Sequence, residues 1–361
     1  MATSVVPPIN DVVINIKEIT PTPSVGYGNL LIMTQAPSSY TAPDNSIASE
    51  TGGSYKEYTK LEGVAEDFDE SSATYIKAQA YFNQASHGAY LMIVSYPTGK
   101  ASDTLKDFFW YGWHFAVLDT FDQAVAAELD AMMTANSEKF LVLQVADYTT
   151  LATLQGPYTV GLQHPVDEPL DAGLIGAVAN KTVGSQTWKF QNVDGITPQR
   201  YNNTAFSKIK AAHVIVYTAI DNGGVAGSTP QGETSEGFTL SGEYIDSLFG
   251  DTWIKEEMRN RIQSRFLDNE KGKVSYDKQG IDLLEQLVRD VLSEAWSNGI
   301  ILTGTDGNGV YSTNFKTREQ MSQSEIASRD YNGGSFNYER SGAIHSVTIN
   351  GEVLSGDQAS N

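Results

Sequence analysis

Two long helical patterns dominate residues 238–302, a stretch without proline. In both, apolar residues recur at the i, i+3, i+4 spacing of a helix that packs on one side. The first pattern comprises Ile245, Leu248, Phe249, Ile254, Met258, Ile262 and Phe266. The second comprises Ile281, Leu284, Leu287, Val288, Val291, Leu292, Ala295 and Trp296. The polar residues 268–280 separate them, so we predict that the two helices pair as an antiparallel hairpin.

Strand and helix patterns alternate ahead of this hairpin. Buried strands are predicted at residues 29–35, 90–96, 113–118, 140–146, 158–162, 187–191 and 213–220. Helices are predicted at residues 71–84, 121–136, 169–180 and 206–212. Residues 36–63 are rich in Ser, Pro, Gly and Tyr, which predicts a long loop. The alternation predicts the α/β (α+β) class, with a layered outer domain around a mainly parallel or mixed sheet.

Both ends of the chain carry strand patterns. Prolines on either side isolate the pattern at residues 11–19 from the rest of the chain. A lone strand is not stable by itself, so this one must add to a sheet of its own chain or of a neighbour. A second alternating pattern lies within residues 335–353 and predicts closing strands. Between the hairpin and these strands, the polar residues 317–331 predict a short helix.

A glycine-rich segment, residues 221–237, is where we place a domain boundary. The predicted organisation is therefore an N-terminal arm (1–22), an outer α/β domain (23–236), a helical hairpin with the core of an inner domain (237–335), and C-terminal arm strands (336–361).

The composition narrows the possible partners. The 361-residue chain has a formal net charge of −20 and no cysteine. Nucleic acid and anionic membrane surfaces both bind clustered Lys and Arg, so the negative net charge argues against either as the main partner. The lack of cysteine excludes disulfides and cysteine-ligated metals. The sequence shows no signal-peptide pattern and no apolar run of membrane-spanning length. We expect a soluble protein that folds in a cytoplasm.

The charges are unevenly distributed along the chain. Before residue 200 there are nine Lys, no Arg and 22 acidic residues, whereas all eight arginines lie at or after residue 200. One interpretation is a solvated helical face of mixed charge, since residues 251–330 hold 11 basic and 14 acidic residues. The other is an arginine-bearing half that contacts a negatively charged partner.

Signatures of catalysis and cofactor binding are weak. The chain has no phosphate-binding loop and no nucleophile elbow, and its histidines lack metal-ligand spacing. His213 stands at the head of an apolar strand, where a hydrogen-bonded structural role is favoured over a catalytic one. The five histidines are His87, His114, His164, His213 and His345. The residues alone therefore single out no catalytic or metal-binding residue and no cofactor, and we predict none.

Three segments resemble contractile tail sheath proteins of bacteriophages and of related contractile injection systems. Residues 171–198 (DAGLIGAVANKTVGSQTWKFQNVDGITP) resemble the helix, Thr-Trp-Lys-Phe segment and Gly-Ile-Thr-Pro turn of that family. Residues 242–267 (GEYIDSLFGDTWIKEEMRNRIQSRFL) are similar to its long helix, and RSGAIHSVTINGEV at 340–353 is similar to its closing strands. Together these segments span most of residues 171–353, while residues 24–170 match only in coarse organisation.

The resemblance implies a mechanical function. Sheath subunits stack as hexameric rings around a tail tube and contract, which drives the tube through the host envelope for genome ejection. The implied partners are copies of this chain, the tail tube protein, and baseplate and tail terminator proteins, with no direct nucleic-acid contact and no membrane insertion. The implied location is the virion tail, assembled in the host cytoplasm.

The resemblance also implies site residues. The arms of sheath subunits add strands to a neighbour's sheet, which assigns Val12, Val13, Ile14, Ile16, Ile344, Val347 and Ile349 to strands between subunits. A tube-attachment helix of related sheaths corresponds to residues 317–331, which assigns tube contact to Lys316, Arg318 and Arg329. Two alternatives stay open: an α/β hydrolase-type enzyme whose end strands complete its own sheet, and another phage tail or baseplate structural protein.

Overall fold

The first strand of the structure is buried. The computed structural model describes residues 27–37, 40–220 and 231–351. Strand β1 (Leu30–Gln35) follows Gly28, whose φ is +101°. A Cβ at Gly28 would overlap with the carbonyl group of Ala179, so only glycine fits this entry to the strand.

The strand β1 lies inside a nine-stranded sheet. The other strands are β2 (Ile47–Ala48), β3 (Ser54–Tyr58), β4 (Leu91–Tyr96), β5 (Phe115–Leu118), β6 (Phe140–Val145), β7 (Thr159–Gln163), β8 (Val214–Ile220) and β9 (Gln231–Thr234). Their order across the sheet is β2-β3-β4-β1-β5-β6-β7-β8-β9. The strands from β4 to β8 are parallel, whereas β2, β3 and β9 pair antiparallel at the edges. The predicted α/β class is confirmed.

Helices cover both faces of this sheet, and the two longest of them form a pair. They are α1 (Leu61–Asp67), α2 (Ala73–Phe82), α3 (Ala101–Phe108), α4 (Gln123–Asn136), α5 (Leu170–Val178), α6 (Asn203–Ala211), α7 (Ile245–Leu267), α8 (Lys278–Ser297) and α9 (Gln323–Ser328). Capping side chains begin several of them: Ser72 for α2, Asp122 for α4, Asn202 for α6 and Asp277 for α8. Each accepts a hydrogen bond from a backbone N–H that lacks a partner within the helix.

The two-residue period of the strands divides the core into two layers. Leu30 and Ile32 of β1 lie in one apolar cluster, and Leu31 and Met33 lie in the other. Helices α2, α5, α7 and α8 contribute to the first cluster, and α3, α4 and α6 to the second. The sheet is therefore buried on both sides, as expected for a mainly parallel sheet.

The predicted helical hairpin is present and packs onto the sheet. Arg261 of α7 pairs with Glu294 of α8, and Gly250 faces Ile300 just beyond α8, so the two helices run antiparallel. Phe249 of α7 lies in the first cluster, within 5.0 Å of the Phe115 ring between centroids. The predicted boundary at residue 236 thus crosses a shared apolar core and stays a prediction, while residues 221–230 of the proposed linker lie outside the described ranges.

Two predictions in the sheet region are wrong. Residues 36–63 are not a continuous loop, because β3 pairs antiparallel with β4 and buries Tyr55 and Tyr58. Residues 187–191 form no strand in the structure, because Phe190 has a φ of +64° that breaks an extended run. The N–H of Gln191 donates instead to Thr234 Oγ1 at 2.9 Å.

The C-terminal region differs from its prediction in three respects. A strand that was not predicted, β10 (Tyr311–Phe315), pairs with β11 (Gly334–Tyr338) in a separate two-stranded antiparallel sheet. The predicted helix at 317–331 consists of a 3₁₀ turn, Arg318–Gln320, followed by α9. Residues 341–351 form no strand with the described part of the chain. None of the helices in the described ranges is long and apolar enough to cross a lipid bilayer.

Candidate assembly surface

The two-stranded sheet of β10 and β11 rests on α8. Thr313 Oγ1 of β10 donates to Glu285 Oε1 of α8 at 2.6 Å, and the rings of Tyr311 and Phe315 pack against the first core cluster. In the described part of the chain, β10 and β11 pair only with each other. Both outer edges therefore lack a strand partner, and an open edge is a template for a strand from another chain.

One face of this small sheet is incompletely covered. The register places Phe336 opposite Thr313 and Tyr338 opposite Tyr311, so these side chains share the face that meets α8. The Phe336 ring is stacked on Tyr338 at 6.3 Å yet is 43% exposed. An apolar strand added beside β11 would cover this ring.

The predicted arm residues of the C-terminus project into solvent. Ile344, Val347 and Ile349 are 83%, 77% and 86% exposed. Contiguous exposed apolar surface is typical of interaction sites. Their place in a sheet between subunits stays a prediction, and their predicted N-terminal counterparts lie outside the described residues: Val12, Val13, Ile14 and Ile16.

One residue of this tail, His345, is docked on its own chain. Its Nε2 atom lies 2.8 Å from Thr187 Oγ1, and its ring meets Tyr244 edge-to-face at 4.8 Å. The side chain is only 12% exposed, and its Nδ1 atom lies 3.7 Å from the Glu236 carboxylate. The tail is therefore held by its own subunit as far as His345. Sequence reasoning counted His345 among scattered histidines, because the alternating pattern around it gives no sign of a partner 158 residues away.

The carboxylate of Glu236 is fixed beneath this contact. Burial opposes its ionisation, but hydrogen bonds from Lys210 and Lys189 lower its pKa overall. The carboxylate is thus charged at neutral pH and carries two lysine partners, so it presents a fixed negative group to the edge of the His345 ring.

The predicted tube-contact residues surround the short helical segment after β10. Lys316, Arg318 and Arg329 are all exposed. An Arg318 nitrogen donates to the Tyr276 carbonyl oxygen at 2.5 Å, and its guanidinium lies 5.7 Å from the Tyr276 ring centroid, which ties it to its own chain. Arg329 is the C-terminal cap of α9 with a φ of +61°. Lys316 and Arg329 form no ion pair with the residues that the structure describes, so these two cations are the more available for a partner.

Many of the other arginines pair within the chain. This favours the interpretation of mixed-charge helical faces over that of an arginine surface aimed at a partner. The pairs are Arg259 with Glu138, Arg261 with Glu257 and Glu294, Arg289 with Glu285, and Arg340 with Asp251.

Hydrogen bonds join the polar side chains at the position where doubly wound folds bind ligands. The order β4-β1-β5 places a topological switch point at the carboxyl end of β1. There Thr34 Oγ1 donates to Asp119 Oδ2 at 2.5 Å, the Thr74 hydroxyl donates to Thr34 at 3.1 Å, and the Thr120 N–H donates to Asp119 Oδ1 at 2.6 Å. Burial raises the pKa of Asp119, and these hydrogen bonds moderate the rise. The polar groups at this position are therefore hydrogen-bonded to one another.

The histidines make structural contacts. His114 Nδ1 accepts from the Gly28 N–H at 3.2 Å, His164 Nε2 lies 3.1 Å from Glu168, and His213 Nδ1 lies 3.2 Å from the Leu240 carbonyl oxygen. Within the described ranges, no group of three His, Asp or Glu side chains is placed to hold a metal ion.

Comparison with known proteins gives a result at the level of structure. No family model matches the sequence, and no curated protein matches it. A chain of the six-fold symmetrised anti-feeding prophage baseplate superposes with a TM-score of 0.66 at 12% identity, covering 98% of this chain and 99% of that one. A chain of the contracted sheath complex of the extracellular contractile injection system PVC gives 0.68 at 10% identity, covering 97% and 98%. A sheath tail protein from Listeria innocua gives 0.56 at 9% identity, covering 87% and 96%.

These identities are too low to establish more than architecture, but the coverage leaves little of any of these chains unmatched. The same order of elements is therefore shared almost from end to end. The resemblance read from the sequence is confirmed for the fold: this chain has the fold of contractile tail sheath proteins.

Proposed function

We propose that this chain is the structural and mechanical subunit of a contractile tail sheath. It polymerises as stacked hexameric rings around a tail tube in the virion and contracts to drive the tube through the host envelope. The observation that carries the proposal is the match to the PVC sheath complex over 97% of this chain and 98% of that one. The role is mechanical rather than catalytic, and assembly takes place in the host cytoplasm with baseplate and tail terminator proteins at the two ends.

Strand exchange links the subunits in this proposal. The open edges of the β10–β11 sheet supply the acceptor, and the residues after His345 and before Tyr27 supply the donated strands. Val347 and Ile349 alternate with Ser346 and Thr348, which gives a donated strand one apolar face. Placed beside β11, that face covers Phe336. Backbone hydrogen bonds of about 0.5–1.5 kcal/mol each then act in parallel along the strand.

The contact with the tail tube involves Lys316, Arg318 and Arg329 in this proposal. Their support is exposure and a position between the helical hairpin and the closing strand. A single exposed ion pair contributes only about 0–1 kcal/mol, which suits a contact that must break on contraction. Repetition in every subunit of a ring adds these small contributions together. Charge reversal at Lys316 and Arg329 should leave self-assembly intact but prevent a stable extended sheath on co-expressed tubes.

Electron microscopy of the purified protein tests the central proposal. The full-length chain should form long hollow tubes in negative stain, and a variant lacking residues 1–20 should remain folded and unassembled. Val347→Glu with Ile349→Glu should also block assembly. The matched control is Ser346→Glu with Thr348→Glu, on the opposite face of the same segment, which should assemble better. Tubes formed by the truncated protein would refute strand donation, and a small closed oligomer from the full-length chain would refute the sheath itself.

One observation favours a second candidate, a ring component of a baseplate. The matched chain of the anti-feeding prophage belongs to a baseplate structure and aligns with this chain over 98% of its length. The same micrographs separate the two functions, since a baseplate component should stop at single rings whereas a sheath subunit should form tubes of variable length.

A further inference from the structure

The two ends of the described chain are both fastened to helix α7. We use "C-terminal root" for residues 338–345, which lead into the C-terminal arm, and "N-terminal root" for residues 27–29, which follow the N-terminal arm. The C-terminal root contacts Asp251 of α7 directly, whereas the N-terminal root is linked to Glu256 of α7 through His114.

The C-terminal root is held by Asp251. Its carboxylate accepts a hydrogen bond from the Tyr338 hydroxyl at 2.5 Å and another from Arg340 Nε at 3.2 Å. A second nitrogen of Arg340 pairs with the other carboxylate oxygen, which makes the contact bidentate. The Ser341 N–H then donates to the Ile300 carbonyl oxygen at 2.9 Å. Asp251 is thus the only acidic residue, among those described, that contacts both Tyr338 and Arg340.

The N-terminal root is held by Glu256 through His114. The Gly28 N–H donates to His114 Nδ1 at 3.2 Å, so the ring proton sits on Nε2 and can donate to Glu256, whose Oε2 atom lies 3.1 Å away. The Tyr27 ring packs 5.2 Å from His114 and 6.3 Å from Trp253 of α7, between ring centroids. Backbone and side chain of this root are therefore both fixed.

The two fastening points lie close together on opposite flanks of the helix. Residues 251 and 256 are separated by about 8 Å along an α-helix and by about 140° around it. Trp253, Ile254 and Met258 are buried in the same stretch, so this part of α7 is held firmly by the core. A displacement at one flank is transmitted to the other through closely packed atoms.

We propose that α7 couples the two arms of the subunit mechanically, with Asp251 and Glu256 as the positioning residues for the C-terminal and N-terminal roots. The inference rests on the proposed strand exchange and adds to it the route by which a pull passes through a subunit. Tyr338 is the last residue of β11, so a strand added to that edge also pulls on Asp251. The acceptor sheet and both arms thereby converge on one helix.

Hydrogen exchange of the unassembled subunit tests the fastening directly. Asp251→Ala should speed exchange of the Ser341 amide at least tenfold, and Glu256→Ala should do the same for the Gly28 amide. The matched control is Asp282→Ala, which removes an exposed carboxylate from α8 that pairs only with Lys278, and both amides should keep their wild-type rates. If Asp251→Ala fails to fold, Arg340→Gln removes the same ion pair from its more exposed side.

Shearing of assembled polymers tests the coupling. Each single variant should assemble at rest and break to less than half the wild-type length under a fixed shear. Sheared polymers of the double variant should be no shorter than those of the single variant that breaks more easily. The reason is that two contacts in series fail at the weaker of the two. Wild-type exchange rates in both variants, or lengths that fall independently in the double variant, would overturn the proposal. Absence of polymers from the wild type would instead overturn the proposed function, and the exchange rates would still decide whether the roots are fastened.

Discussion

The packing of Phe249 predicts that the sheet and the helical hairpin unfold together. Phe249 is 4% exposed, and its ring lies 5.0 Å from Phe115 of β5 and 6.1 Å from Phe140 of β6, between centroids. It therefore joins α7 to the middle of the parallel sheet across the predicted domain boundary. Phe249→Ala removes this side chain and leaves a cavity between the two parts.

The expected loss is about 3–5 kcal/mol, the range for a fully buried phenylalanine truncated to alanine. A folded domain has a net stability of about 5–15 kcal/mol, so this loss is a large fraction of the total. Phe266→Ala is the control on the same helix. Phe266 is 54% exposed, so its truncation should change the free energy of unfolding by no more than about 0.5 kcal/mol.

Urea unfolding of the unassembled subunit, followed by far-UV circular dichroism and by tryptophan fluorescence, provides the measurement. The two probes should report one coincident transition in wild type and variant, with the midpoint of Phe249→Ala strongly lowered. Two separate transitions, only one of which responds to Phe249→Ala, would show that the hairpin folds independently. The shared-core reasoning would then be refuted, and the boundary at residue 236 would gain support.

Three further predictions concern titration and backbone geometry. Burial lowers the pKa of Lys139 to about 7, so between pH 7 and about 10.4 the unfolded chain binds more protons than the folded chain. The free energy of unfolding should therefore rise with pH in that window. The urea midpoint of Lys139→Met should lack this rise. Burial opposes ionisation of Glu138, yet hydrogen bonds from Lys255 and Arg259 lower its pKa overall. Its contribution to the free energy of unfolding should therefore be present above about pH 4.3 and be lost as the pH falls further. Glu138→Gln should accordingly cost about 1 kcal/mol at pH 7, since both partners are half exposed, and progressively less as the pH falls below about 4.3. Gly28→Ala should lower the free energy of unfolding by well over 1 kcal/mol, because Gly28 has a positive φ and an added Cβ would overlap with the Ala179 carbonyl group. Gly99 also has a positive φ but lies in open surroundings, so Gly99→Ala should cost only about 1 kcal/mol. Thermal melts of both variants measure the difference.

The central sheet could be predicted from sequence because its strands are buried on both faces. β1 and β4 each open with four consecutive apolar residues, 30–33 and 91–94, and a short apolar run bounded by turn residues is typical of a buried strand. The long hairpin helices were equally clear, since their apolar stripes repeat over several turns. In these elements, local pattern and tertiary environment agree.

Two short strands outside the parallel part of the sheet could not be predicted in the same way. β3 (SYKEY) and β10 (YSTNF) are largely polar, and they are strands because a neighbour supplies the hydrogen bonds. The strand predicted at 187–191 failed for the opposite reason. Trp188 is buried beside Phe115, with 5.0 Å between the ring centroids, and the backbone leaves the extended conformation at Phe190, whose φ is +64°.

The apolar residues of the C-terminal tail could be seen in the sequence, but the contacts that hold the tail to its own chain could not. The exposed alternating tail with Ile344, Val347 and Ile349 was visible as a pattern, because alternation is local. Asp251 and Arg340 are 89 residues apart, and Thr187 and His345 are 158 residues apart. Pairs at such distances form only once the chain has folded, and single side chains of common type give no sign of them.

The shared core and the fastened roots together restrict where a subunit of this kind can change shape. Sheet, hairpin and both roots are joined by buried contacts, and closely packed interiors resist continuous deformation. The described tail loses its anchorage only after His345, where Val347 and Ile349 stand in solvent. In the proposed sheath, a change in the spacing of neighbouring subunits would be taken up most easily beyond His345, the last residue of the described tail with a partner on its own chain. If the arms are donated as proposed, the length of chain beyond that residue, rather than flexibility of the body, sets how far rings turn and approach while the donated strands stay paired.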